Sequence, residues 1–381
     1  MRDRIPWRLR APVRRARNAV ALRRALSRQR SRWEKIGATP PRSDEIAVSY
    51  GLERMPSSGD VVYGGQVKFS LLDEALPNAP RDFNVLYLGS SALPLEAPRL
   101  VQLARRRGAA FAWNQNGVAY PGWYGDGWEL VNEPRAKLLH EADHVFFQSA
   151  FSKASADRFY GEREGSWEVL HNPVDTRRFV PTAADSRPLT LLLGGNQYQQ
   201  YRIEAALAAT GLVRRERPDV RLLIAGALLF AGDAYERTEK IVRRLGLADA
   251  VELLGPYTQA EAPALMRRGD VLLHTKYNDP CPTVVLEAMA SGLPVVYSAS
   301  GGTPELVGNH AGIGIDAPLD WERDHPPAPE ALAEAVLTVS ARLADYSAAA
   351  REQALRFDRE GWIDRHHTVF TELIRLGPPV S

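Results

Sequence analysis

Two carboxylates, Asp279 and Glu287, stand eight positions apart in the stretch DPCPTVVLEAMASGLPVVYSASGGTPE, residues 279–305. Between them Thr283 follows Pro282 and opens the apolar run Val284, Val285, Leu286, the pattern of a helix start with Thr283 as N-cap or first-turn residue. A helix front carries unsatisfied backbone N–H groups and a partial positive charge, which makes it a site for phosphate oxygens. Glu287, about one turn further in, can accept two hydrogen bonds from vicinal hydroxyls such as those of a ribose. Asp279, in the loop level with the helix front, can do the same for a hexose hydroxyl. The two acids would then bracket a pyrophosphate. Gly301-Gly302 reads as a tight turn where backbone can approach a ligand closely. Thr303, Pro304 and Glu305 open a further helix with Pro in its first turn, a second candidate phosphate-facing front. Each feature alone is weak, since an acid pair at this spacing arises by chance and a GG pair is more often a plain turn. Their order, strand, loop, helix, strand, GG, helix, is what points to a sugar-nucleotide site.

These residues need elements to position them, and the sequence supplies alternating ones. Strands are expected at 45–50, 84–88, 109–113 and 144–148, with helices at 66–76, 98–107 and 135–140; Gly64-Gly65 opens the first helix. A proline-rich polar stretch, HNPVDTRRFVPTAADSRP, then reads as an interdomain linker. After it strands are expected at 189–193, 221–225, 251–254, 270–274 and 294–297, interleaved with helices at 202–209, 234–245, 262–268 and 283–291. Such alternation predicts an α/β chain of two facing Rossmann-like domains with a cleft between them. The divisions are a basic arm (1–43), a first domain (44–172), a linker (173–188), a second domain (189–358) and a C-terminal helix and tail (359–381). In the first domain AWNQNGVAYPGWYGDGW, residues 112–128, follows a strand and so faces the cleft. Its Trp113, Tyr120, Trp123, Tyr124 and Trp128, with Asn116, suit stacking on a sugar ring or an aromatic-tipped acceptor, or else pin down a long loop. Gly64 and Gly65 are candidate contacts to acceptor or donor phosphate.

Composition bounds the rest. With 381 residues, 45% hydrophobic and 25% charged, the chain can bury a sizeable core without disulfides, and its single cysteine, Cys281, excludes an intrachain one and fits a reducing, cytoplasmic compartment. Residues 1–43 hold thirteen Arg and one Lys against Asp3 and Glu34, a surplus of twelve in a chain of net charge +2, so the remainder carries −10. A weak helical stripe through residues 1–36 suits an anionic membrane surface, with a solvated tail as the plainer alternative; nucleic acid is the least favoured partner. No apolar run is long enough to span a bilayer, and there is no secretory h-region. Spacings typical of metal sites, Walker loops and nucleophile elbows are absent, so no metal and no cofactor is expected.

The 270–307 stretch resembles the retaining family-four (group-one) glycosyltransferases, through Leu286-Glu287-Ala288-Met289-Ala290, Gly292-Leu293-Pro294-Val295-Val296, Gly301-Gly302 and Pro304-Glu305. Asn172-Pro173-Val174-Asp175 with Arg178-Phe179, and Ala142-Asp143 with Gln148-Ser149, extend the likeness over most of residues 45–375. The resemblance implies a GT-B fold, a donor site in the second domain, an acceptor site in the first, a C-terminal helix crossing back near Trp362, retention of configuration and no metal. It implies that Glu287 holds the ribose of a nucleotide-diphosphate sugar, Asp279 the transferred sugar, and the amides near Thr283 and Val284 the phosphates. The acceptor would be a saccharide or lipid-linked saccharide. Where the family carries a glycine-rich loop, this chain has Pro280-Cys281-Pro282, which lacks two backbone donors. The family's basic residues are missing from the first loop of the second domain, around Gly195 and Asn196, and Arg202 and Lys276 are the nearest substitutes. Asn116-Gly117 replaces the usual His-Gly, which removes one general base. A sugar-nucleotide epimerase or phosphorylase, or a non-catalytic protein with a vestigial site, is the alternative.

Overall fold

The computed structural model describes residues 45–56, 64–182 and 187–377, together with Ser27; the rest of the basic arm lies outside them. The described chain folds around two all-parallel sheets. The first runs β1 (Val48–Ser49), β2 (Val85–Gly89), β3 (Ala110–Gln115), β4 (His144–Phe147) and β5 (Ser166–Val169), in that spatial order. Strands β2 to β4 are buried at every position, as continuous apolar runs covered on both faces must be. Helices Ala97–Arg106, Trp128–Glu141 and Ala150–Tyr160 cover one face, where Leu100, Leu138 and Ala156 meet Phe111, Trp113 and Phe147. Helix Gly64–Asp73 covers the other, together with the C-terminal helix Arg359–Leu376.

That last helix returns from the second domain. Asp358 caps it by accepting from the Glu360 N–H at 2.9 Å, and its Trp362, Val369 and Phe370 pack on Tyr87 and Phe146. Large apolar side chains buried this way contribute about 1.5–3 kcal/mol each, which fastens the crossing helix to the first domain.

The second sheet holds β6 (Thr190–Leu193), β7 (Arg221–Ala225), β8 (Val251–Gly255), β9 (Val271–His274), β10 (Val295–Ala299) and β11 (Gly312–Asp316). Their spatial order is β11-β10-β9-β6-β7-β8. The chain thus winds outward from β6 in one direction and from β9 in the other. Ligands in such sheets bind where the order reverses, beyond the carboxyl ends of β6 and β9.

Two strands escape the sequence reading, β5 and β11. Both are outer strands, and SWEV and GIGID are only partly buried, so neither shows the apolar run that marks a central strand. Strand β1 is shorter than expected; on its outer edge Val48 O accepts from Ala79 N at 2.7 Å, and the side chain of Asn78 accepts from Tyr50 N at 3.1 Å and donates to Leu52 O at 2.9 Å. An asparagine thereby closes an edge that would otherwise offer free backbone groups.

Candidate active site

A cleft of about 480 Å³ opens at the reversal point of the second sheet and reaches across to the first domain. Its second-domain wall is built from the loop after β6, the loop after β9 and the helix Thr283–Ala290. That helix starts at Thr283 with Pro282 before it, and Pro282 supplies no capping side chain. Pro282, Thr283 and Val284 all line the cleft, so the helix front faces it. Gly194 makes this approach possible: a Cβ there would lie 2.8 Å from Val284 Cγ2. Glu287, four residues on, shares the Thr283 face and lines the cleft although only 4% exposed. Burial pushes its carboxyl up to about 8, against a small downward pull from Arg178, so it is largely protonated at neutral pH in the free protein.

Asp279 is the opposite case. Burial alone would raise it, but Lys276 at 3.1 Å and His274 at 3.3 Å, with Arg202 beyond, hold its carboxyl well below the usual range. Asp279 is therefore an ionised hydrogen-bond acceptor. Arg202 is buried on helix Gln200–Val213, with Nη1 donating to Asn196 O at 2.9 Å and Nε without a partner among the described residues. Thr275 donates to Arg202 O at 2.9 Å and Tyr277 N to the Tyr201 hydroxyl at 3.0 Å, which stitches this helix to the β9 loop. The result is a cleft wall with two cations, one ionised acid and one neutral acid, a balance that suits an anionic ligand.

Asp279, Lys276, Arg202, Thr283, Val284, Glu287, Gly195 and Asn196 all reach this cleft, and Asn116 reaches it from the first domain. The Asn196 side-chain oxygen is used within the fold, accepting from Ala227 N at 2.9 Å. Gly64 and Gly65 open helix Gly64–Asp73, whose Val67 lines the cleft.

The second candidate phosphate front lies apart from the cleft. Gly301, Gly302, Thr303 and Glu305 do not line the cleft. The glycine turn is filled by protein backbone: a Cβ on Gly301 would lie 2.5 Å from Asp279 O and one on Gly302 2.0 Å from Pro280 O, while Gly302 N donates to Asp279 O at 2.9 Å. The glycines seat the Asp279 loop. Thr303 is fully buried. Glu305 crosses to the first domain, accepting from Ala150 N at 2.8 Å, Phe151 N at 2.9 Å and His171 at 3.1 Å. It satisfies the front of a first-domain helix, where a carboxylate complements both the free N–H groups and the dipole.

The aromatic loop divides. Trp113 is a core residue, and Trp128 packs edge-on against Phe159. Tyr120 is buried, stacked on Phe159 and edge-on to Trp321 of the second domain, so part of its role is to join the domains. With Trp123 and Tyr124 it also lines a second cavity of about 280 Å³ that shares Lys276 and Pro280 with the cleft. Trp123, 46% exposed, stands on its rim.

Among the cleft residues to which the sequence reading gives no site role are His274, Gln148, Asn172 and Tyr257. Behind them is buried Lys68, whose ammonium donates to Asn114, Gln148 and Asn172. The signal for His274 is its place as the last residue of a switch-point strand. The signal for Lys68 is a cation within the apolar helix segment VKFSLL.

Fold and cleft define a two-domain GT-B glycosyltransferase architecture. Residues 175–340 match the family described as glycosyl transferases group 1. Among curated relatives, the D-inositol 3-phosphate glycosyltransferase of Streptomyces avermitilis is 29% identical over 46% of this chain and 42% of its own. A second enzyme of that name, from Catenulispora acidiphila, is 29% identical over 60% and 57% respectively. The chain spans about half the length of the curated relatives it matches. Among solved structures, Anabaena HepE in complex with UDP-glucose superposes with a TM-score of 0.62 at 19% identity, covering 81% of this chain and 82% of that one. Sucrose-phosphate synthase from Thermosynechococcus elongatus does so with 0.64 at 18%, covering 89% and 88%.

Proposed function

We propose that this protein is a retaining, metal-independent glycosyltransferase that moves a hexosyl group from a nucleotide-diphosphate sugar to a saccharide or lipid-linked saccharide, in polysaccharide or glycoconjugate biosynthesis. The observation that carries the reading is the exposed Thr283 helix front at the switch point, with Glu287 one turn along on its cleft face. The amides near Thr283 and Val284 would take the diphosphate and Glu287 the ribose hydroxyls. Asp279, kept ionised by Lys276, would accept from a hydroxyl of the transferred sugar. As the anomeric C–O bond breaks, negative charge would grow on the diphosphate, and Lys276 and Arg202, which both line the cleft, would stabilise it. The acceptor oxygen would bond the anomeric carbon from the same face, its proton passing to the departing phosphate oxygen. Tyr120 and Trp123, at the adjoining cavity, would receive the acceptor. The similarity to a protein solved with UDP-glucose and to relatives named glycosyltransferase supports this reading.

The free, buried Cys281 accords with a cytoplasmic location, and among the described residues no helix is long and apolar enough to cross a membrane. The basic arm would hold the protein on an anionic inner membrane face, at about 1 kcal/mol per basic residue near the surface.

The test is thermal unfolding with a panel of nucleotide-diphosphate sugars. A ligand at one hundred times its dissociation constant stabilises by about 2.7 kcal/mol, a readable rise in Tm. No rise with any donor would refute the proposal; a rise followed by release of nucleoside diphosphate only when a saccharide acceptor is added would support it.

A further inference from the structure

Pro280 and Pro282 deprive the diphosphate side of the cleft of two backbone donors, and the opposite wall holds a group suited to replace them. Lys68 is 3% exposed, on the first-domain helix Gly64–Asp73. An ammonium has three donors and no acceptor, so any amide beside it must present its oxygen. Lys68 Nζ reaches Asn114 Oδ1, Gln148 Oε1 at 3.3 Å and Asn172 Oδ1 at 3.3 Å. Each of the three amides thereby presents its oxygen to the ammonium, which leaves its NH₂ group for another partner.

Two of those NH₂ groups are used by the fold. Asn114 donates to the Tyr87 hydroxyl at 2.8 Å, and Tyr87 meets His366 of the crossing helix at 2.9 Å. Asn172 donates to Cys281 O at 2.8 Å, in the loop before the Thr283 helix. The third, on Gln148, has no protein acceptor among the described residues, and Gln148 lines the cleft. Asn172 brings this wall directly against the Cys281 loop, and Gln148 lines the same cleft as the Thr283 helix front.

We infer that Gln148 is a hydrogen-bond donor to the diphosphate of the sugar nucleotide, and that Lys68 is the positioning residue that aims it. The inference rests on the donor-site reading above. A site completed from both domains would form only when they are closed, which ties grip on the leaving group to closure. Burial pushes the Lys68 ammonium down to about 7, against a smaller upward pull from Cys281; keeping a cation at such a position needs a use, and orienting three amides is one.

The experiment measures the affinity of the full-length protein for uridine, guanosine and adenosine diphosphates by calorimetry, for wild type, Gln148→Leu, Gln148→Glu, Lys68→Met and the Lys68→Met/Gln148→Leu double variant. Loss of a hydrogen bond to a charged oxygen is expected to weaken the preferred diphosphate roughly ten- to a hundredfold in Gln148→Leu. Gln148→Glu, which can still pair with Lys68 but offers no N–H, is expected to weaken it at least as much. Because Lys68 acts through Gln148, the double variant should bind no more weakly than Gln148→Leu. Wild-type affinity in both Gln148 variants, or losses that multiply in the double variant, would overturn the assignment while leaving the donor site standing. If wild type bound none of the three diphosphates, the donor-site reading itself would fall. Circular dichroism confirms that each variant is folded. Should Lys68→Met not fold, the two Gln148 variants decide alone.

Discussion

Replacing Glu287 with glutamine is expected to stabilise the free protein and cripple the donor site at once. The carboxyl moves from its ordinary 4.5 to about 8 because the folded chain buries it on the cleft wall, against a downward pull from Arg178. Between those two values the folded state binds more protons at this site than the unfolded state. Stability from this group is therefore fully present below about pH 4.5 and is lost as pH rises toward 8. At about 1.4 kcal/mol per pH unit the loss approaches ~5 kcal/mol above pH 8 and is about 3 kcal/mol at pH 7. Glutamine carries no such proton, but its buried NH₂ costs about 1 kcal/mol for want of an acceptor. The Glu287→Gln variant should thus be close to wild type in stability near pH 5, more stable by about 2 kcal/mol at pH 7 and by about 3 kcal/mol at pH 8. Urea unfolding of both proteins across that range measures it, since contributions common to the two cancel in the difference. The same variant should bind the donor roughly ten- to a hundredfold more weakly, because a carboxylate gripping two ribose hydroxyls is lost. Wild-type donor affinity should rise with pH as Glu287 ionises. A stability difference that does not change with pH would refute the burial argument, and unchanged donor affinity would refute the ribose assignment.

Lys276→Ala and Arg202→Ala are each expected to lower kcat by about ten- to a thousandfold, with a smaller effect on donor affinity, since charge on the leaving diphosphate peaks in the transition state; full turnover in both variants would end the proposed mechanism. Glu305→Ala leaves Ala150 N, Phe151 N and His171 without their partner, and should cost about 1–3 kcal/mol and reduce turnover more than nucleotide affinity, as read by unfolding and calorimetry. Gly302→Ala puts a methyl 2.0 Å from Pro280 O, so the Asp279 loop must move; thermal shift should show weaker donor response together with a lower Tm. Removing residues 1–36 should abolish sedimentation with anionic vesicles and leave activity on a soluble acceptor unchanged; equal sedimentation would exclude the arm as the anchor.

What could be read from residue order alone was local. The Asp279 loop, the Thr283 helix and Glu287 lie within nine consecutive residues, so proline, the helix period and the strand before them place all three on one wall whatever the rest of the chain does. The alternation of apolar runs likewise announced two parallel sheets, because strands buried on both faces must be apolar throughout. The outer strands β5 and β11, being half exposed, announced nothing. Tertiary structure decided the rest. Gly301-Gly302 has the form of a ligand turn, yet the space beside it is taken by the carbonyls of the loop after the neighbouring strand. Glu305 sits at a helix start as a donor ligand would, yet the nearest free N–H groups belong to a first-domain helix some 155 residues away in the chain. Tyr120 reads as an aromatic for sugars and is held largely by Phe159 and Trp321. Lys68 and Gln148, separated by 80 positions, acquire meaning only when burial removes water and leaves one ammonium to orient the amides around it. A free N–H or a buried charge is satisfied by whatever lies nearest in space, and nearness across two domains is not a property of sequence spacing.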